Sequence, residues 1–176
     1  MSRHTGETVH YFKPLSQNRR PLEMQVELNP DVRFVFYPFA LGSRLGRMDL
    51  HIMPDDDSLG KLEDSTFQAN RPAAKIIDVE ISTIDQVVAD GTAPPTFIKI
   101  DTEGAEFQIL SGGLETLQRH APSLLVENHG CPDDPKMCAL LQELGYGCTV
   151  LKTQAPLSEA GIEAGQHAFC EVRKSI

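Results

Sequence analysis

The chain alternates short apolar segments of β type with segments of helical periodicity, and this alternation constrains its fold more than any other feature. Strand-like runs include Lys75 to Ile81, Thr96 to Asp101 and Ser123 to Glu127. Between the last two, Ala105 to Arg119 places its apolar residues on one helical face. Apolar strands of about four to six residues separated by helices of about 10 to 15 residues are typical of parallel βαβ units. The sequence therefore predicts an α/β fold with a mostly parallel sheet.

The C-terminal part departs from this alternation. Tyr146 to Leu151 and His167 to Arg173 are both strand-like, and no helical pattern lies between them. We therefore expect an antiparallel C-terminal hairpin. The polar, proline-bearing segment from Pro54 to Ala74 predicts a flexible loop. A length of 176 residues, without repeats, suits a single domain over residues 1–176.

Charge and composition exclude several classes of partner. Sixteen Lys and Arg against 25 Asp and Glu give a net charge of −9. An acidic domain without a basic patch repels phosphate backbones and anionic lipid, so we expect no nucleic-acid or membrane binding. No run approaches the roughly 18 apolar residues of a membrane helix or the roughly 7 to 15 of a signal-peptide core, which predicts a cytoplasmic protein. The cysteines show no Cys-x-x-Cys spacing, and we interpret them as buried structural thiols: Cys131, Cys138, Cys148 and Cys170.

Polar side chains follow three of the predicted strands. In open α/β sheets, ligands collect at the carboxyl ends of the strands. Lys13 ends the strand Val9 to Phe12, and an acidic run follows the strand ending at Ile100. If the strands that end near residues 100 and 127 are neighbours, four side chains face one another across a crevice: Asp101, Glu103, Glu127 and His129.

These residues also have structural interpretations. Glu103 and Glu106 lie in the first turn of a predicted helix, where the helix dipole favours acids by about 0.3 to 1 kcal/mol. Lys99 is expected to pair with one of the acids, because an unpaired buried ammonium group is costly. A crevice lined with carboxylates and one imidazole suits an organic cation or a metal such as Mg²⁺, Mn²⁺ or Zn²⁺, so a metal-dependent hydrolase is an alternative. The spacing alone assigns no metal ligands.

The segment FIKIDTEGAE at residues 97–106, continuing through ILSGG at 109–113 to PSLLVENH at 122–129, resembles the FkbM family of S-adenosylmethionine-dependent methyltransferases. The segments ISTID at 81–85 and FALGS at 39–43, with Gly46, are also similar to family motifs. The resemblance spans most of residues 9–173.

The resemblance implies a class I, Rossmann-like methyltransferase sheet that binds S-adenosylmethionine. It implies O-methylation of a small metabolite or sugar, the acceptor class that the family suggests. Asp101 is then expected near the methyl donor, and Glu127 and His129 are expected to face the acceptor, so these three are the expected catalytic residues. Lys13, Asp101 and Glu103 are the expected cofactor-binding residues.

The sequence departs from the family pattern at the cofactor end. The family's first strand and its glycine-rich turn, of the type D-GAN-G, have no counterpart here. Lys13 stands where the family has an acid that holds the ribose hydroxyls, and a lysine cannot accept hydrogen bonds. The eight residues before the first predicted strand reach about 26 Å at about 3.3 Å each, whereas a parallel crossover needs about a dozen residues or more.

The sequence therefore predicts a methyltransferase domain that lacks its first strand and glycine-rich loop. Three interpretations follow: a C-terminal part of a longer methyltransferase, a degenerate member that acts as a non-catalytic binding or partner module, or a sheet completed by a second copy or another complementing chain. The loss of a central strand would leave strand edges open for such pairing.

Overall fold

The computed structural model of this chain describes residues 8–15, 19–53, 56–63, 65, 73–157 and 164–172. Within these ranges the chain forms five helices and ten strands in the following order: β1 (Thr8–Phe12), α1 (Arg19–Leu28), β2 (Arg33–Tyr37), β3 (Ala40–Leu41), β4 (Gly46–Met53), β5 (Asp56–Leu62), β6 (Lys75–Ser82), α2 (Ile84–Ala89), β7 (Phe97–Ile100), α3 (Glu106–Ser111), α4 (Leu114–His120), β8 (Ser123–Asn128), α5 (Asp134–Glu143), β9 (Tyr146–Val150) and β10 (Gln166–Val172).

The strands form three sheets, with the orders β1-β2, β3-β6-β4-β5 and β7-β8-β10-β9. The pairs β1–β2, β3–β6 and β7–β8 are parallel, and the other pairs are antiparallel. The predicted α/β class and the antiparallel hairpin of β9 and β10 are thus confirmed. The predicted mostly parallel arrangement is not confirmed, because the sheets are mixed.

Two further differences concern local structure. Asp56–Leu62 is strand β5, paired with β4, where the sequence predicts a loop; residues 66–72 of that predicted loop lie outside the described residues. The predicted helix from Ala105 to Arg119 is two short helices, α3 and α4, because the chain turns at Gly112 and Gly113.

The two four-stranded sheets share one hydrophobic core with helices α3, α4 and α5. Leu110 of α3 and Leu124 of β8 are fully buried, and Leu50 and Ile81 join this core from the other sheet. Each such side chain contributes about 1.5 to 3 kcal/mol when it leaves water. The core therefore fixes where β7 and β8 end. Among the described residues, we find no helix with the length and apolar character needed to cross a membrane.

The cysteines differ in part from the prediction. Cys131 and Cys138 are buried free thiols, as expected. Cys148 and Cys170 instead form a disulfide, because the pairing of β9 with β10 places them directly opposite, with Cα atoms 4.0 Å apart. The prediction of four thiols is wrong for this pair.

The turn between α3 and α4 gives a test of the packing. A Cβ atom on Gly112 would lie 2.0 Å from the carbonyl oxygen of Gly42, whereas one on Gly113 would meet only the Ile84 side chain, at 2.9 Å. Because backbone cannot yield easily, we expect Gly112→Ala to lower the free energy of unfolding by about 3 kcal/mol, at the upper end of ordinary overpacking. Gly113→Ala is expected to cost less. Urea denaturation measures both, and equal losses would contradict this packing.

Candidate active site

The candidate site lies where β7 and β8 end. The two strands are parallel, with Ile98 beside Leu124 and Ile100 beside Val126. Their pairing therefore ends at the same edge of the sheet. The three residues Asp101, Glu127 and His129 follow, and their side-chain ligand atoms all lie within 4.8 Å of one another. The predicted crevice is thus present, and the catalytic roles of its residues stay predictions.

A buried carboxylate orients the histidine of this crevice. Nδ1 of His129 lies 2.9 Å from Oε1 of Glu106, which is only 3% exposed. The same oxygen accepts hydrogen bonds from the Thr102 hydroxyl at 3.2 Å and from the Gly104 backbone N–H at 3.3 Å. Gly104 has φ of 85°, a conformation that side-chain-bearing residues rarely adopt, so the glycine permits this turn. On its other side, Nε2 of His129 faces Oε2 of Glu103 at 3.8 Å.

The surroundings shift the pKa values of three residues. The hydrogen bond that the His129 ring donates to the Glu106 carboxylate raises the pKa of His129, and burial opposes this effect only in part. Burial raises the pKa of Glu103. Burial would also raise the pKa of Asp101, but the hydrogen bond and the charge of Lys99 outweigh it, so the pKa of Asp101 is lowered. Relative to the same side chains in water, the crevice therefore stabilises the ionised form of Asp101 and the protonated form of His129.

Two basic residues flank the carboxylates. The ammonium group of Lys99 binds Oδ2 of Asp101, which confirms the predicted pairing of Lys99 with an acid. Nε2 of His167 lies 3.2 Å from Oε2 of Glu127, because β10 runs antiparallel to β8 with these two residues in register. One carboxylate oxygen of Asp101 and one of Glu127 thus contact a basic side chain.

Lys13, the third expected cofactor-binding residue, lies elsewhere. It is exposed at the end of β1, where its backbone N–H donates to the carbonyl of Tyr37 at 3.0 Å. Within the described part of the chain, no recorded contact joins its side chain to Asp101 or Glu103. The structure therefore groups two of the three expected cofactor-binding residues and does not add Lys13 to them.

Three further residues contact the crevice residues and are not among the expected catalytic or cofactor-binding residues. The sequence interpretation of Glu106 is that of a helix-dipole acid; in the structure it is the first residue of α3, and its carboxylate contacts His129. His167 depends on the register of β10, and Ser65, whose hydroxyl donates to the carbonyl of Glu103, depends on a distant segment. No local sequence signal reports these two contacts.

The fold and the crevice define an α/β domain with an acidic site at the carboxyl ends of two parallel strands. A family profile for the methyltransferase FkbM domain matches residues 2–148. The chain therefore belongs to the FkbM methyltransferase-domain family.

Among solved structures, the chain is similar to the crystal structure of methyltransferase FkbM from Methylobacillus flagellatus KT. The TM-score is 0.60 at 17% identity, and the match covers 94% of this chain and 36% of that one. At this identity the likeness concerns the fold, and this chain spans little more than a third of that structure's length. The comparison with curated proteins gives no match.

The contact between Glu106 and His129 can be tested in solution. We expect Glu106→Gln to lower the pKa of His129, because glutamine keeps the size of the side chain but removes its negative charge. Glu103→Gln should lower it less, since the Glu103 carboxylate contributes less to the shift. A pH titration followed by NMR of the imidazole measures these values. Glu115→Gln, on the exposed face of α4, is the matched control, and an unchanged His129 pKa in Glu106→Gln would contradict the assignment.

Proposed function

We propose that this chain is the acceptor-side part of an S-adenosylmethionine-dependent methyltransferase that methylates an oxygen of a small metabolite or sugar. The observation that supports the proposal is the convergence of Asp101, Glu127 and His129 at the ends of β7 and β8, in a chain of the FkbM family. The acceptor class comes from family analogy.

The carboxylates of the crevice suit the positively charged sulfonium end of the cofactor. When bound, S-adenosylmethionine supplies a methyl group on a positively charged sulfur, which leaves as a neutral thioether when an acceptor oxygen forms the new C–O bond. Carboxylates stabilise a neighbouring positive charge, and Asp101 and Glu103 provide two of them at the end of β7. These are the residues that we assign to the sulfonium end.

His129 and Glu127 act on the acceptor, and Glu103 lies close enough to take part there as well as at the sulfonium end. The acceptor's hydroxyl proton has to leave as the C–O bond forms, and Nε2 of His129 or the carboxylate of Glu103 accepts it. Glu106 fixes the imidazole through Nδ1, so Nε2 keeps one orientation. Glu127, held by His167, lies within reach of the same acceptor and orients it.

The nucleoside end of the cofactor does not fit the described residues equally well. Lys13 cannot accept hydrogen bonds from ribose hydroxyls, and its recorded contacts lie on the separate β1–β2 sheet. We therefore assign the nucleoside contacts to a complementing segment, either an N-terminal extension or another chain, that supplies the strand and glycine-rich turn absent from this sequence.

Ligand binding tests this assignment. Isothermal calorimetry is expected to show weak or no binding of S-adenosylhomocysteine to the 176-residue chain, and restored binding when a family-type first strand and glycine-rich turn are added at the N-terminus. In the extended protein, Asp101→Asn should weaken binding of sinefungin, whose amine replaces the sulfonium methyl, about tenfold more than binding of S-adenosylhomocysteine, because only sinefungin carries the extra positive charge. Glu115→Gln should affect neither ligand. Absence of binding in both forms of the protein would contradict a methyltransferase.

A second candidate function is that of a non-catalytic partner module. The observation that favours it is the edge position of two apolar strands: within the described ranges, β7 pairs only with β8 and β1 pairs only with β2. An open strand edge offers unpaired backbone groups to another strand.

The open edges predict self-association when no complementing strand is present. We expect light scattering on the purified chain to give a mass that rises with concentration above the 19.4 kDa of one chain. Fusion of the complementing strand should return the mass to that of a monomer, because the edges are then paired. A strictly monomeric 176-residue chain at all concentrations would contradict edge pairing.

A further inference from the structure

The crevice combines two carboxylates and an imidazole, a ligand set that differs from a simple acidic cluster. Asp101 comes from the end of β7, whereas Glu127 and His129 come from the end of β8, and their ligand atoms lie within 4.8 Å of one another. Two ligands of one ion, at metal–ligand distances of about 2.0 to 2.2 Å, lie at most about 4.4 Å apart, so small side-chain movements bring all three atoms to one ion.

Each of the three residues has two atoms that can bind a metal ion, and a neighbouring side chain, called its outer partner below, contacts one of them. Lys99 binds Oδ2 of Asp101, His167 binds Oε2 of Glu127 at 3.2 Å, and Glu106 binds Nδ1 of His129 at 2.9 Å. Metal-binding histidines commonly contact a carboxylate through the second ring nitrogen, and metal-binding carboxylates are in turn hydrogen-bonded. The arrangement around all three residues follows this pattern.

We propose that Asp101, Glu127 and His129 bind one divalent transition-metal ion, through the second carboxylate oxygens and Nε2, and that this ion contacts the acceptor hydroxyl. Two oxygens and one imidazole suit Mn²⁺, and three protein ligands leave positions for the acceptor and water. Ca²⁺, which takes six to eight oxygen ligands, fits less well.

The inference rests on the proposed methyltransferase function and deepens it. The ion acts as a Lewis acid that favours the deprotonated acceptor oxygen. With Nε2 on the ion, the hydroxyl proton passes to Glu103, the second of the two acceptors named for it above. The acceptor class is thereby narrowed to compounds whose methylated oxygen is a hydroxyl able to coordinate a metal.

Calorimetric titration of the EDTA-treated, dialysed chain with MnCl₂ tests the site without any assay of activity. We expect about one ion per chain. Asp101→Asn, Glu127→Gln and His129→Ala should each weaken binding at least tenfold, and Glu106→Gln, which changes only an outer partner, should weaken it about tenfold. Glu115→Gln should bind as the wild type does, and circular dichroism confirms that each variant is folded. CaCl₂ should bind more weakly than MnCl₂.

Two results would overturn the proposal: no Mn²⁺ binding by the folded wild-type chain, or binding that persists unchanged in all three ligand variants. Titration of the N-terminally extended protein with S-adenosylhomocysteine in the presence of EDTA separates this proposal from the methyltransferase function. If the extended protein binds S-adenosylhomocysteine but not Mn²⁺, only the metal site fails. If it binds Mn²⁺ in the predicted manner but not S-adenosylhomocysteine, the metal site stands and the methyltransferase function fails.

Discussion

The parallel pairing of β7 with β8 is the constraint on which the candidate site depends. Ile100 and Val126, 3% and 1% exposed, lie side by side in this register and are held in the common core. Asp101 and Glu127 are the next residues on each strand, so the core packing sets their separation. A slip by one residue would turn the apolar side chains of β7 away from the core, and the cost of that exposure keeps the carboxylates together.

The electrostatics of the crevice follow from this pairing. It gathers four carboxylates, from Asp101, Glu103, Glu106 and Glu127, and Glu106 is buried. Buried charges persist only with compensating partners. His129 compensates Glu106, Lys99 compensates Asp101, and the imidazole of His167 contacts Glu127. Part of the net charge of −9 is thus concentrated at one edge of the sheet, and this negative charge underlies the proposed binding of a cation there.

The sequence could predict two kinds of feature: contacts between residues close in the chain, and the meeting of strand ends that follows from the order of the strands. The apolar strands before Asp101 and Glu127 predict that their ends meet, and the apolar setting of Lys99 predicts its acidic partner. The contact of His167 with Glu127 and the disulfide of Cys148 with Cys170 depend instead on the register of β10. That register joins residues about 20 to 40 positions apart in the chain, and no turn motif fixes it. The mixed sheets have the same origin, because β4 and β5 form an antiparallel hairpin in a segment whose composition resembles a loop.

The two ends of the proposed cofactor site are therefore determined by different parts of the molecule. The position of Lys13 follows from β1 and from Leu15, which is 5% exposed and belongs to the core cluster that contains Leu50. The acidic crevice follows from β7 and β8. Because each is anchored by its own packing, the shape of the crevice does not depend on the contacts near β1, and the proposed cation binding does not require the nucleoside. A complementing strand would then add cofactor binding to a crevice that is already formed.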